Sequence, residues 1–477
     1  HGIEVASESL EMSRTSGTHL LNCLITGQSI LSAINAGDLK LADQLLEEIR
    51  PPEERSAGWQ RAWYHFLKAR AAQSLGKPEQ ALLHLETALR FAVDLGAPCF
   101  LGFCHLTKAN ILHTLDQNEG SSHHLTMATN LAEQTKSKLL RFYVYLTQAL
   151  FDLSKRKRAS VPKSLRKALE FGKRHEYFNT IIDHPNAIQN LCFAALDAEI
   201  EVEYVQQLIR KHKLIPETPP IHLKNWPWEL KIITLGRFSL AKDETPVRFT
   251  KKAQKKPLLM LKALIAFGGI EVREEQIADA LWPEVDGDIA HKSFTTTLHR
   301  LRKLLGNHKA VELCNGCLTL NQNECWTDVW AFERICEQAE AAWTNQSTEG
   351  DAAEAIELTQ KTIEIYKGHF LSDQTDEPWT VPIRERLRNK FLRCVGKLGH
   401  YWESTGNLEK AVDCFQRGLE VDGIDEESYR RLMACYHRLG HRAKALWVYD
   451  RCKHMLSAVL GIEPSPETEI LRKSILG

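Results

Sequence analysis

Between about Leu20 and Leu214 the chain turns on small residues at a fixed interval: Gly37, Gly76, Asp116 and again near Lys155, separated by 39, 40 and 39 residues. Amphipathic helical patterns fill the intervals. In the clearest unit, Trp59 to Leu95, the apolar or small residues Tyr64, Ala69, Ala72 and Leu75 precede Gly76, and Ala81, Leu82, Leu85, Ala88 and Leu89 follow Pro78. That proline stands at a helix start, where its missing N–H costs nothing. A helical pair repeated at this period cannot bury its own apolar face and has to stack on its neighbours. Residues 1–215 are therefore predicted to be a helical repeat array.

A second, tighter period governs residues 326–477: Gly406 and Gly440, Ala411 and Ala445, Phe415 and Tyr449, and Leu398 and Leu432 are each 34 apart. Between the arrays, Pro216 to Pro227 holds four prolines in twelve residues and cannot continue a helix, so 216–228 is expected to be a linker. Residues 229–325 read differently. Leu230 to Leu235, Arg237 to Leu240 and Val247 to Phe249 are short β-favouring runs. Helical patterns follow over Gln254 to Phe267, Arg273 to Trp282 and Asp288 to Leu305; then Ala310 to Leu313 and Cys317 to Leu320 flank Asn315-Gly316, the strongest short hairpin signal. A sheet, three helices and a terminal hairpin make a winged helix-turn-helix. The expected fold class is mainly α, with two tetratricopeptide-like arrays flanking this small α+β domain.

The third of those helices has two faces. Phe294, Leu298, Leu301 and Leu305 form an apolar stripe, while Lys292, Thr296, His299, Arg300 and Lys303 fall opposite. Cations mixed with hydroxyl and imidazole groups can hold phosphates and still reach base edges in a major groove. An ordinary solvated basic face is the alternative, and charge placement bears on the choice. Overall charge is uninformative, with 61 Lys plus Arg against 61 Asp plus Glu. Locally, Arg248, Lys251, Lys252, Lys255, Lys256 and Lys262 have no acidic neighbour between Thr245 and Ile270, nor do Lys292, Arg300, Arg302, Lys303 and Lys309 between Ile289 and Val311. Such segregation suits duplex binding, which releases counterions from each neutralised phosphate. The candidate recognition-helix residues are Lys292, Ser293, Thr296, His299, Arg300, Arg302 and Lys303; Lys251, Lys252, Lys255, Lys309 and Asn315 are the candidate phosphate or wing contacts. A further basic run, Lys155 to Arg158, reads as a solvated helix connection, with auxiliary DNA contact or an anion-binding groove as the alternative.

Other chemistry finds little support. Cys314 and Cys317 form C-x-x-C, but they bracket the hairpin turn with no second metal half-site nearby, so a structural role is expected and metal or redox function is the minor alternative. His123 and His124 are adjacent on a helix and point about 100° apart, which suits packing and surface rather than one ion. No phosphate loop, nucleophile elbow or H-E-x-x-H occurs, and Trp59, Trp63, Trp447 and Tyr449 suit repeat packing better than a cofactor box. Neither enzymatic activity nor a metal or cofactor is expected. The 12 Cys, scattered over helical patterns, suggest reduced and mostly buried thiols, and no run of about 18 apolar residues or signal-peptide pattern is present. A cytoplasmic protein without a membrane partner is expected. His1 rather than Met stands first, as expected of a fragment.

From Leu230 onwards, about half the chain, the sequence resembles the SARP family of bacterial transcription activators: an OmpR-type winged helix joined to a bacterial transcriptional activation domain. The matching stretches, in order, are LGRFSL (235 to 240), REEQIADALWPE (273 to 284), FTTTLHRLRKLLG (294 to 306), YKGHFL (366 to 371), DEPW (376 to 379) and LGIEPSPE (460 to 467). The resemblance implies that the helix Ile289 to Leu305 enters the major groove of promoter DNA and that the hairpin around Asn315 approaches the adjacent minor groove. It also implies that the second array supports self-association or contact with RNA polymerase, and that the turn Glu284 to Asp288 faces polymerase. The family's wing usually carries an aromatic near Cys317, which weakens the expectation for wing contacts. The first array resembles the sensor region of STAND-type regulators, which implies a small-molecule or protein inducer there. The expected function is a sequence-specific DNA-binding transcription regulator; the alternative is a tetratricopeptide-type interaction scaffold without specific DNA binding.

Overall fold

A computed structural model describes residues 8, 11, 12, 15, 22–51, 57–155, 163–178, 185–249, 255–344, 349–373 and 377–477. The chain forms two compact units, His1–Pro216 and Glu217–Gly477.

The first unit is built of helix pairs: α1 (Asn22–Asn35) with α2 (Leu39–Glu48), α3 (Gly58–Ser74) with α4 (Pro78–Asp94), α5 (Pro98–Thr114) with α6 (Asn118–Gln134), α7 (Lys138–Lys155) with α8 (Lys163–Arg174), and α9 (Pro185–Asp197) with α10 (Val202–His212). The period of about 40 is two half-periods of 20. Left-handed backbone recurs at Gly76, Gly96, Asp116 and Lys136, and again at Glu176. After Gly76, Gly96, Asp116 and Glu176 the next amide folds back on the preceding turn, as Lys77 N donates to Ala72 O (2.9 Å) and Gln117 N to Leu112 O (2.9 Å). Three carbonyls that a helix would leave unpaired are thus reached by a tight C-terminal turn. Small residues let the helices close: Ala69, Ala81, Ala88 and Cys104 are fully buried in one shared cluster.

Each of the two central pairs also carries a histidine contact. His65 Nδ1 of α3 lies 3.2 Å from His84 Nδ1 of α4, and His105 Nδ1 of α5 lies 2.9 Å from His124 Nδ1 of α6. One ring must donate and the other accept, so each pair has room for one shared proton. Burial and the nearby cations lower these pKa values, with Lys68 and Arg90 facing His65 and Lys108 facing His124; His124 falls to about 4, against a small opposing pull from Glu86. His123 lies edge-on to His124 rather than sharing its contact.

The second unit begins with the proline-rich stretch. It is ordered rather than a bare tether, which corrects the linker expectation: Leu223, Trp226 and Trp228 are buried, Trp228 Nε1 donates to Leu223 O (2.9 Å), and Trp326 Nε1 donates to Ile221 O (2.7 Å). A four-stranded sheet follows in the order β3-β2-β1-β7, from β1 (Leu230–Ile233), β2 (Ser239–Lys242), β3 (Thr245–Pro246) and β7 (Cys325–Thr327). The first three strands are antiparallel; β7 returns from the far end of the domain and pairs parallel to β1. The third strand lies before the expected run Val247 to Phe249. α11 (Lys255–Ala266), β4 (Val272–Arg273), α12 (Glu274–Leu281), α13 (Gly287–Leu305), β5 (Val311–Cys314) and β6 (Cys317–Leu320) complete a winged helix, its second sheet ordered β4-β6-β5.

Helices resume with α14 (Asp328–Thr344), α15 (Glu349–Ile365), α16 (Val381–Ser404), α17 (Leu408–Val421), α18 (Glu426–Arg438), α19 (Arg442–Leu460) and α20 (Pro466–Leu476). The boundary expected between 325 and 326 falls inside β7, and one apolar core runs across it. Leu230, Leu264 and Phe294 belong to the same cluster as Phe332, Tyr366 and Phe391. At the joint sits the carboxylate of Asp328, fully buried, which accepts from Thr234 N (2.9 and 2.8 Å), Thr234 Oγ1 (2.8 Å) and Leu235 N (2.7 Å). Burial pushes its pKa up to about 6 despite these bonds. The later array keeps the expected 34-residue spacing, with Gly406 and Gly440 both at positive φ.

Two outcomes follow from these contacts. Asp328→Asn presents an amide N–H₂ to backbone donors, so hydrogen exchange of the β1 and β7 amides in the full chain should accelerate by a factor corresponding to ~1–3 kcal/mol; unchanged exchange would remove Asp328 from the joint. The histidine pairs bind protons more weakly folded than unfolded, so their contribution to stability is present above about pH 6.5 and is lost as pH falls toward 4. The melting temperature of the first unit should therefore drop between pH 7 and 5, and less so in a His84→Gln, His124→Gln variant.

Candidate nucleic-acid interface

α13 is fixed at both ends. The Asp286 side chain accepts from Gly287 N (2.8 Å) at its start, and Gly306 ends it at φ 67° with its N–H on Arg302 O (3.1 Å). Glycine suits this left-handed C-cap, and a Cβ there would also displace the Lys242 ammonium, 2.6 Å away. Ala290, Phe294, Thr297, Leu298, Leu301 and Leu305 are buried against the domain core. The opposite face is open: Lys292, Thr296, His299, Arg300 and Lys303 are exposed, while Ser293 is half-buried at the edge. The +4, +3, +4 step from Lys292 through Thr296 and His299 to Lys303 sets these four in one line along the axis. Thr296 Oγ1 donates to Lys292 O (2.9 Å), leaving the oxygen lone pairs and the methyl group outward.

The surrounding cations divide into exposed and committed groups. Lys255, Arg248 and Lys309 are exposed. Lys262, grouped with them by sequence, is instead buried, its Nζ 4.2 Å from the centre of the Phe238 ring, and burial lowers its pKa against the opposing charges of Asp373 and Glu377. Lys256 Nζ donates to Leu281 O (2.7 Å) at the end of α12, so it too is structural. Arg302 is half-buried, and its Nε donates to Val311 O (2.9 Å), which ties α13 to the first strand of the wing. Lys251 and Lys252 lie outside the described residues, as do Arg156, Lys157 and Arg158 of the earlier basic run.

The wing is a two-residue hairpin closed by Asn315 (φ 50°) and Gly316 (φ 74°), both in the left-handed region that such a turn needs. Asn315 is at its exposed tip, and Gly316 O accepts from Glu274 N (2.9 Å), fastening the tip to the start of α12. The wing strands expose Glu312, Leu313 and Cys314 and no cation. A positive charge reaches the wing from elsewhere: exposed Arg273 on β4 pairs in register with Cys317. Sequence reading overlooked Arg273, because two residues of strand give no alternation and only the pairing with β6 reveals its position. The turn before α13 exposes Glu284, Val285, Asp286, Asp288 and Ile289, and His291 Nδ1 on the helix's first turns contacts Glu274 of α12.

Among the described residues, no group of three or more His, Cys, Asp and Glu side chains is arranged to hold a metal ion, and no helix is long and apolar enough to cross a membrane.

Residues 327–476 match the bacterial transcriptional activator domain. Regulatory protein AfsR of Streptomyces griseus is 25% identical over 224 residues, covering 46% of this chain and 22% of the relative. Transcriptional regulatory protein MoaR1 of Mycobacterium tuberculosis is 24% identical over 130 residues, 27% of this chain and 42% of the relative. The chain thus spans less than half the length of either curated relative. Among solved structures, Mycobacterium tuberculosis EmbR in complex with a low affinity phosphopeptide aligns over 52% of this chain and 65% of that one, at 22% identity and a TM-score of 0.42. Residues 327–476 are thus a bacterial transcriptional activator domain, and the chain is similar to bacterial transcriptional regulators over about half its length.

Proposed function

We propose that the second unit binds double-stranded promoter DNA with α13 in the major groove, and that the chain acts as a transcriptional activator. The observation that carries this reading is the exposed line Lys292, Thr296, His299 and Lys303, with Arg300 beside it, on a helix whose other face is wholly buried. An α-helix fits the major groove, where lysine and arginine pair with guanine edges and hydroxyl groups accept or donate more permissively. Lys255, Lys309 and Arg248 grip phosphates, joined by Lys251 and Lys252, while Arg302 steers the wing toward the minor groove rather than serving as a free contact. Arg273 supplies the charge that the wing strands lack. The C-terminal array contacts RNA polymerase or a second copy of the chain, and the N-terminal array receives a small-molecule or protein signal. In this reading the chain catalyses nothing, takes no cofactor and works in the cytoplasm.

The test begins with selection of the bound site from random duplexes, followed by titration at several salt concentrations. Arg300→Ala and Lys303→Ala should each weaken the selected site by ~1–3 kcal/mol where they touch a base, and relax sequence preference there. Lys255→Ala and Lys309→Ala should weaken all duplexes alike and make the salt dependence shallower by about one phosphate each. A scaffold that only docks proteins would select no sequence and show no steep salt dependence, and that result would overturn the proposal.

A further inference from the structure

The two cysteines of the wing are direct partners. Cys314 and Cys317 stand opposite each other in the β5–β6 register, immediately either side of the Asn315-Gly316 turn. Residues directly opposite in an antiparallel ladder project their side chains from the same face. A hydrogen-bonded pair holds its Cα atoms about 5.5 Å apart, within the span a disulfide bridges. Both thiols are free, and Cys314 is the exposed one of the 12 cysteines; Cys317 is half-buried beside it, and eight of the others are buried. The remaining close thiol pair, Cys336 and Cys394, has its sulfurs 3.7 Å apart but lies inside the core between α14 and α16. Oxidant in solution therefore meets Cys314 first, with a second thiol already in position behind it.

We propose that Cys314 and Cys317 form a reversible dithiol–disulfide site that responds to hydroperoxides. The Cys314 thiolate attacks the outer oxygen of a hydroperoxide; the O–O bond breaks, the outer oxygen stays on sulfur as a sulfenic acid, and the inner oxygen leaves with the bonding pair and takes up a proton to become the alcohol or water. The Cys317 sulfur then displaces hydroxide from that sulfenic sulfur. Two thiols and one hydroperoxide become one disulfide, one alcohol and one water, with the peroxide oxygen taking both electrons. The resulting loop is four residues long and closes over a turn whose backbone is already set. Exposed disulfides are more readily reduced than buried ones, as a reversible site requires. The chemistry does not depend on DNA binding, although it sits on the hairpin that the proposed function brings to the duplex.

The test uses the reduced full chain, hydrogen peroxide at near-stoichiometric amounts, blocking of remaining thiols with N-ethylmaleimide, and peptide mapping. The peptide holding both cysteines should lose about 2 Da and escape the label, and dithiothreitol should restore both labelling sites. Cys317→Ser should trap a dimedone-reactive sulfenic acid at Cys314, whereas Cys314→Ser should react at least about tenfold more slowly at this peptide. Accumulation of sulfinic or sulfonic acid at Cys314 in the unsubstituted chain, or full labelling of both thiols while core cysteines oxidise, would overturn the proposal. The readout is made without duplex present, so failure of the chain to bind DNA leaves it intact.

Discussion

The buried carboxylate of Asp328 is the contact on which the second unit depends. It closes β7 and opens α14, and it accepts two backbone amides and a hydroxyl from Thr234 and Leu235, at the end of β1. The same short segment is gripped from its other side: Leu371 N donates to Thr234 O (2.7 Å), Gly236 N to His369 O (3.0 Å) and Ser372 N to Gly236 O (3.0 Å). Gly236 takes φ 103°, a backbone conformation that L side chains rarely adopt, and Gly368 packs directly against its Cα. Arg384 then binds Phe370 O and Leu371 O, both at 2.7 Å. Two of the family stretches, LGRFSL and YKGHFL, are thus the two halves of one seam. Their shared task is to join the winged domain to the helices after it.

That seam has a mechanical consequence. A tethered winged helix would reorient freely, and anything bound to the helical array would learn little about what α13 touches. Here the four-stranded sheet, Asp328 and the continuous core from Leu230 to Phe391 make α13 and the first helices of the activation domain parts of one body. The far end is fastened as well. Glu426 on α18 accepts from Ser465 N (2.7 Å), Ser465 Oγ (2.6 Å) and Thr468 Oγ1 (2.6 Å), so the LGIEPSPE stretch docks α20 onto the array. Its glycine ends α19 at φ 70° and Pro466 starts α20.

Much of this was legible in the sequence because the signals were local. The apolar stripe of α13, the Asn-Gly turn and the 34-residue glycine spacing each arise within one or two turns of chain, and each matches the structure to within a few residues. What escaped was set by distant partners. β7 is three residues long and exists because Leu230 pairs with Cys325 across the domain; β4 is two residues and depends on β6. The linker looked solvated because prolines break helices, but nothing local announces that Trp228 will be fully buried. Lys262 misled for a related reason. α11 is buried nearly all round, so no amphipathic face warned that a lysine there must lie inward and find an aromatic ring.

Charge runs along α13 as well as around it, and that gradient limits how the helix can meet a polyanion. Its cap and first turn carry Asp286 and Asp288, which complement the helix dipole, and Asp286 takes the Gly287 amide. α12 is similar, with Glu274 and Glu275 in its first turn. Helix N-termini are a common means of holding phosphate, and here both carry acidic residues in or beside the first turn, which disfavours an anion there. The exposed cations lie further along, from Lys292 to Lys303, while Lys242 and Lys256 spend their charge on the C-terminal carbonyls of α13 and α12. With acids at its start and a wing whose strands expose no cation, the exposed cations of α13 run from Lys292 to Lys303, past its acidic first turn.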